Sequence, residues 1–359
     1  MLKQYENDGL VLFLGAGVSL QSGIPNWRCL AERVLRKLGR DYCEVETAFP
    51  SLIAQFDLAS HLASLRAGNT EFIRLLYECL YQDLESKELI ERIPWQMKKQ
   101  CGWKDWPRIV DSLRKNRTLE VIGDLLIVDG KGGLKPNPQI HAVLTTNTDN
   151  LLEIYCYAKT WRRRPIVTMV DRASVGDHPD TIPIHHLHGS LDVRGENFLK
   201  TELSQCLLPD LVFRESDYYD AIANPSAFVN HTPQSYFRQF NVLFVGTSLE
   251  DQNIRRWLYQ SYRERLSDRT KYLREWHKHD YKDAEYEAAL ESVRHFWLRP
   301  ATERVGGCDR PVPRDIVELS MRNLGVQLVW CDDYSEMQNH IRELKVKGLN
   351  PNFGRPVNC

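Results

Sequence analysis

Residues 9–19 read GLVLFLGAGVS, an apolar run from Leu10 to Leu14 closed by Gly15-Ala16-Gly17. A short, unbroken apolar run is the pattern of a strand buried on both faces of a parallel sheet. An amphipathic stretch, residues 27–38, carries Leu30, Val34 and Leu35 at helical spacing. Glycines between such a strand and helix permit a tight turn. They also let backbone N–H groups approach a pyrophosphate, whose charge a helix N-terminus favours. The full dinucleotide fingerprint G-x-G-x-x-G is not met, because Leu20 stands at its third glycine.

Further apolar runs follow at residues 140–145, 165–170, 182–187, 241–246 and 326–331, with another at 293–298. Helical patterning covers 27–38, 149–158 and 251–266. This alternation predicts an α/β fold, a Rossmann-like parallel sheet flanked by helices. Residues 41–135 break the cadence with helix-like segments such as LIAQFDLASHLASL, and 121–128 (VIGDLLIV) fits strand or buried helix equally. The expected organisation is a Rossmann-like core over 1–37 plus 138–345, a helical insertion over 38–137 and a tail over 346–359. The charge-dense segment 262–287 reads as an exposed helix or a mobile connection.

Composition narrows the classes. The 359 residues carry 47 Lys+Arg against 48 Asp+Glu, a net charge of −1, and 42% are hydrophobic. That excludes wholesale disorder. No run approaches the ~18 apolar residues of a membrane span, and Glu6 and Asp8 make the N-terminus a poor signal peptide. A balanced charge gives no global field for nucleic acid, so direct nucleic-acid binding is not expected. The nine cysteines are odd in number and none lies at C-x2-C spacing. They read as reduced thiols of a cytoplasmic protein, with no zinc site.

Three polar motifs fall where later runs end: TTNTD at 145–149, HLHGS at 186–190 and GTSLED at 246–251. In a parallel sheet these C-terminal strand ends share one edge, where ligands bind. Each has a plainer reading. Asn147 and Asp149 could cap the next helix, as could Ser248 or Asp251. His185, His186 and His188 do not make a three-histidine metal site easily, since strand alternation puts His185 opposite the other two. Arg255 and Arg256 read as a solvated helix face, and Trp27 as a core or pocket-wall aromatic. Tyr218, Tyr219, Trp257, Tyr259 and Tyr262 read as packing or interface residues.

Taken in order, GAGVS…SGIPNW, TTNTD, HLHGS and GTSLEDQNI resemble the dinucleotide-binding core of the sirtuin (silent information regulator) superfamily, from about Leu10 to Leu258. The segment Trp330–Tyr334 completes it. The deacylase branch carries a zinc ribbon of two C-x2-C pairs after its HG motif, whereas only Cys206 lies between His188 and residue 241 here. Trp27 and Asp251 are more similar to the sirtuin-like branch of prokaryotic and fungal immunity, whose members hydrolyse NAD+.

Carried over residue by residue, the resemblance implies that Asn147 holds a ribose hydroxyl or the attacking water. It makes His188 the base and gives Asp149 the task of orienting nicotinamide or stabilising positive charge. Dinucleotide binding falls to Gly15, Ala16, Gly17 and Ser19, to Pro25 and Trp27, and to Thr146. Gly246, Thr247, Ser248, Asp251 and Asp333 complete that set. The implied reaction cleaves the nicotinamide–ribose bond of NAD+, as substrate, to nicotinamide and ADP-ribose, in an antiphage effector that depletes the cofactor. The alternatives are a protein deacylase, an ADP-ribosyltransferase, or a non-catalytic sensor of NAD+ or ADP-ribose. A homo-oligomer is expected, gated by assembly or by an ATPase or short Argonaute-type partner.

Overall fold

The computed structural model describes residues 1, 5, 8–68, 70–85, 87, 105–130, 133–160, 165–170, 180–193, 211–224, 226–276, 281–301 and 313–348. Seven parallel strands form the main sheet: β1 (Leu10–Leu14), β4 (Ile140–Thr145), β5 (Val167–Val170), β6 (Ile182–His186), β7 (Val242–Val245), β8 (His295–Pro300) and β9 (Val326–Cys331). A separate antiparallel hairpin pairs β2 (Ile127–Gly130) with β3 (Gly133–Pro136). The sheet order is β5-β6-β4-β1-β7-β8-β9. Every residue of β1 and β7 is buried, as the apolar runs require. From β1 the chain adds strands on one side and then crosses to the other. The C-terminal end of β1, where Gly15 begins, is therefore the topological switch point at which open α/β sheets bind ligands.

Helices lie between the strands: α1 (Trp27–Lys37), α2 (Tyr42–Ala48), α3 (Leu52–Ala67), α4 (Thr70–Leu80), α5 (Asp105–Leu113), α6 (Arg117–Leu125), α7 (Leu151–Thr160), α8 (Glu215–Ala223), α9 (Phe228–Gln239), α10 (Gln252–Trp276), α11 (Tyr281–Glu291), α12 (Arg314–Arg322) and α13 (Tyr334–Gly348). Asn26 starts α1 by accepting from the Cys29 N–H at 2.9 Å, and Asn116 starts α6 in the same way from Leu119. The ambiguous 121–128 segment divides into the end of α6 and the start of β2. None of the helices among the described residues is long and apolar enough to cross a membrane.

The chain separates into two compact units, one of residues 1–15, 138–143 and 230–359, the other of 16–137 and 144–229. In the first, Phe13 lies fully buried against Phe237 and Phe244, with ring centroids 6.1 and 5.1 Å away. There the charge-dense stretch is not a loose connection. α10 runs on past residue 266, and Leu266 and Leu273 pack with Ala284 and Ala288 of α11. These apolar positions are too sparse to stand out among the charges, yet they keep helical spacing.

In the second unit the helices between β1 and β4 hold the loops that leave β1 and β6. Asn116 Nδ2 donates to the Val18 carbonyl at 2.7 Å and to Ser22 Oγ at 2.9 Å, and the Arg117 N–H donates to Gln21. Gly23 turns in the left-handed region, where a Cβ would meet the Asp83 carbonyl at 2.3 Å. Tyr77 of α4 donates to the Val193 carbonyl at 2.7 Å, and Tyr81 donates to that of Leu191.

Phe13→Ala should open a cavity in the first unit's core and cost about 3–5 kcal/mol in urea unfolding. A loss below about 1 kcal/mol would contradict this packing.

Candidate functional site

The loop after β4 is buried throughout, from Thr146 to Asn150. Its Asn147 N–H donates to Thr145 Oγ1 at 3.0 Å. Ser19, from the loop after β1, donates its hydroxyl to Asp149 Oδ1 at 3.0 Å and accepts from Asn147 Nδ2 at 3.4 Å. One hydroxyl thus joins two motifs 130 residues apart. Asp149 Oδ1 also accepts from the Leu151 N–H at 3.2 Å, so the carboxylate caps α7 as well. Capping the helix and bonding to Ser19 are not alternatives here. Burial pushes the Asp149 carboxyl up to about 6, against the opposing pull of the Ser19 and Leu151 donors.

His188 lies two residues beyond the end of β6 and is 2% exposed. The strand alternation expected to align it with His186 therefore does not reach it. The Trp27 ring meets it edge-on at 5.2 Å and Tyr218 at 5.8 Å. Trp27 in turn stacks on Phe213 at 4.7 Å and meets Phe56 edge-on. Trp27 is thus half-buried in an aromatic wall around the histidine, with Pro25 buried just ahead of it. Ala16 and Gly17 form a single 3-10 turn that leads to Ser19.

His186 engages both ring nitrogens: Nε2 lies 2.6 Å from Glu153 Oε1 and Nδ1 lies 2.9 Å from the Asn147 carbonyl. His185 instead packs on Phe228, 5.9 Å away. Glu153 was not singled out by sequence reasoning. The available signal was a lone carboxylate within a helix, residues 151–158, that is otherwise nearly all apolar.

The first unit holds the other group. A Cβ on Gly15 would stand 2.5 Å from the Gly246 carbonyl oxygen and 2.7 Å from Thr247, so only glycine fits there. After β7 a chain of local bonds shapes the turn. Thr247 Oγ1 accepts from the Leu249 N–H and Ser248 Oγ from that of Glu250. Asp251 Oδ1 takes the cap of α10, accepting from Asn253 at 2.7 Å and Ile254 at 3.1 Å. Leu249, also missed from sequence, has φ 53° with its side chain buried. A bulky residue in the left-handed region costs roughly 1–2 kcal/mol, and such outliers cluster at functional turns. The Trp297 indole N–H donates to the Thr247 carbonyl at 3.0 Å.

Asp333 is exposed and caps α13 through the Glu336 N–H at 2.9 Å. Arg255 and Arg256 are not a solvated face: Arg256 donates to Asn230 Oδ1 at 2.8 Å and Arg255 to the Leu249 carbonyl. Trp257 is fully buried, its indole N–H also on Asn230 Oδ1. Cys206 lies outside the described residues.

Asp149→Asn keeps the acceptor for Ser19 and Leu151 and removes the buried charge. Because the folded carboxyl ionises near 6, above its unfolded value of 3.8, the protonated form contributes stability below pH 4 that is lost as pH rises through 6. The variant should therefore gain on the wild type between pH 4 and 7, by on the order of 1–3 kcal/mol in denaturant titrations. A stability difference that does not change with pH would contradict the burial of this charge.

Comparison with known proteins adds the family. No curated protein matches the chain. Residues 141–296 match the family model described as the SIR2-like domain, a span that holds TTNTD, HLHGS and GTSLED, whereas GAGVS at 15–19 lies outside it. Over residues 141–296 the chain is similar to the SIR2-like domain.

Proposed function

We propose that the protein hydrolyses NAD+ at the nicotinamide–ribose bond, releasing nicotinamide and ADP-ribose. SIR2-like domains are in general NAD-dependent enzymes, which supports the substrate. The observation that carries the reaction is the buried polar group of Ser19, Asn147 and Asp149, bonded to one another.

Breaking this bond passes through an oxocarbenium-like state, as glycoside hydrolysis does. The pyridinium leaves as neutral nicotinamide, so the site needs no strong acid. It needs orientation, exclusion of bulk water and a base for the nucleophile. Asn147 offers both a donor and an acceptor for a ribose hydroxyl or the attacking water. His188, walled by Trp27 and Tyr218, takes the proton. Asp149 is ionised above pH 6 and supplies a fixed negative charge for the cationic transition state.

An unrestrained enzyme of this kind would drain its host's cofactor. We expect low basal turnover, gated by homo-oligomer formation or by an ATPase or short Argonaute-type partner, and a role as an antiphage effector.

Asn147→Ala and His188→Gln should each lower nicotinamide release by ~10²–10⁴-fold, the range for loss of one catalytic donor or base. Glutamine is preferred at position 188 because the ring is packed among aromatics, where alanine would open a cavity. Near-wild-type release by His188→Gln, followed by chromatography of free nicotinamide, would remove His188 from the mechanism.

A further inference from the structure

A buried charged pair adjoins this site without belonging to its expected machinery. His186 is 1% exposed and Glu153 is 2% exposed. The histidine faces two oxygens, Glu153 Oε1 at 2.6 Å and the Asn147 carbonyl at 2.9 Å. A carboxylate and a carbonyl only accept, and an imidazole that donates from both nitrogens is the imidazolium.

The titratable and charged groups around it agree with that state. Burial works against the charge, but Glu153, the Asn147 carbonyl and Asp149 together outweigh burial and raise the proton affinity of His186. His185, the next residue on the same strand, is pushed down to about 4, first by burial and then by the His186 charge. Of these two adjoining histidines, only His186 is the imidazolium.

We propose that Glu153 and His186 are positioning residues: Glu153 holds the imidazolium, and the imidazolium clamps the main-chain carbonyl of Asn147, fixing its side chain for reaction. Asn147 is then gripped on both sides, its N–H by Thr145 Oγ1 and its carbonyl by His186. Catalytic groups must be held closely, since a misplacement of about 1 Å can cost ~10²-fold in rate. The kinetic consequence rests on the hydrolase reading, whereas the clamp itself does not.

Two variants of the full-length protein separate charge from clamp. In Glu153→Gln the new amide N–H can donate to a neutral Nε2, leaving Nδ1–H on the Asn147 carbonyl. The double variant Glu153→Leu/His186→Leu removes the clamp and strands no carboxylate. Nitrogen-15 spectra of the histidines should show His186 still doubly protonated above the ordinary histidine value of 6.5 in the wild type, and neutral there in Glu153→Gln. Amide exchange over residues 146–150 should be unchanged in Glu153→Gln and at least ~10-fold faster in the double variant. The double variant should also lose ~10²-fold in kcat for nicotinamide release with KM within about threefold, the split expected when orientation rather than binding is lost.

A wild-type His186 that titrates near its ordinary value, or protection of 146–150 retained in the double variant, would overturn the clamp. Undiminished kcat in the double variant would overturn its role in positioning. A wild-type protein that releases no nicotinamide would instead refute the hydrolase reading, and titration and exchange would still decide the clamp.

Discussion

A carboxylate removed from water must be met by donors or by a positive charge, and two such groups lie four residues apart at the start of α7. Asp149 is met by the Ser19 hydroxyl and the Leu151 N–H, and Glu153 by His186. These contacts draw the loop after β1, the loop after β4 and the end of β6 into one buried network. Breaking a buried pair by removing one partner typically costs 3–5 kcal/mol, so the three segments are not independently variable. The helices between β1 and β4 serve the same network from outside, through Asn116 on the Val18 carbonyl and Tyr77 on the Val193 carbonyl.

Residues that the proposed function assigns to chemistry also hold the backbone. Asp149 caps α7 while bonded to Ser19, and Asp251 caps α10 at the close of a strained turn. A helix N-terminus presents unpaired N–H groups at the same sheet edge where a strand delivers its last side chain. A cap in that place is therefore already oriented toward any ligand bound there.

Much of the fold was legible because buried parallel strands write themselves as apolar runs. Residues 10–14 and 242–245 are buried at every position, as the runs around them implied. The motifs at strand ends were legible for a related reason, since polar residues and glycines interrupt those runs abruptly. What escaped was set by tertiary partners. Glu153 resembles any helical glutamate until His186 arrives from a strand 33 residues away. The length of α10 was hidden because its charged face outnumbers Leu266 and Leu273. Trp27 read as a core or pocket-wall aromatic, but nothing in the sequence pointed to His188 as what it walls, since Phe56 and Phe213 complete that wall from distant segments.

The central claim is that this buried polar group cleaves NAD+ with water alone as acceptor. Proton NMR of NAD+ incubated with the purified protein, with and without an acetylated peptide, tests it most directly. Nicotinamide and ADP-ribose should appear in equal amounts without the peptide. NAD+ that stays intact in the presence of the protein and any activating partner, or nicotinamide that appears only when the peptide is added, would contradict it.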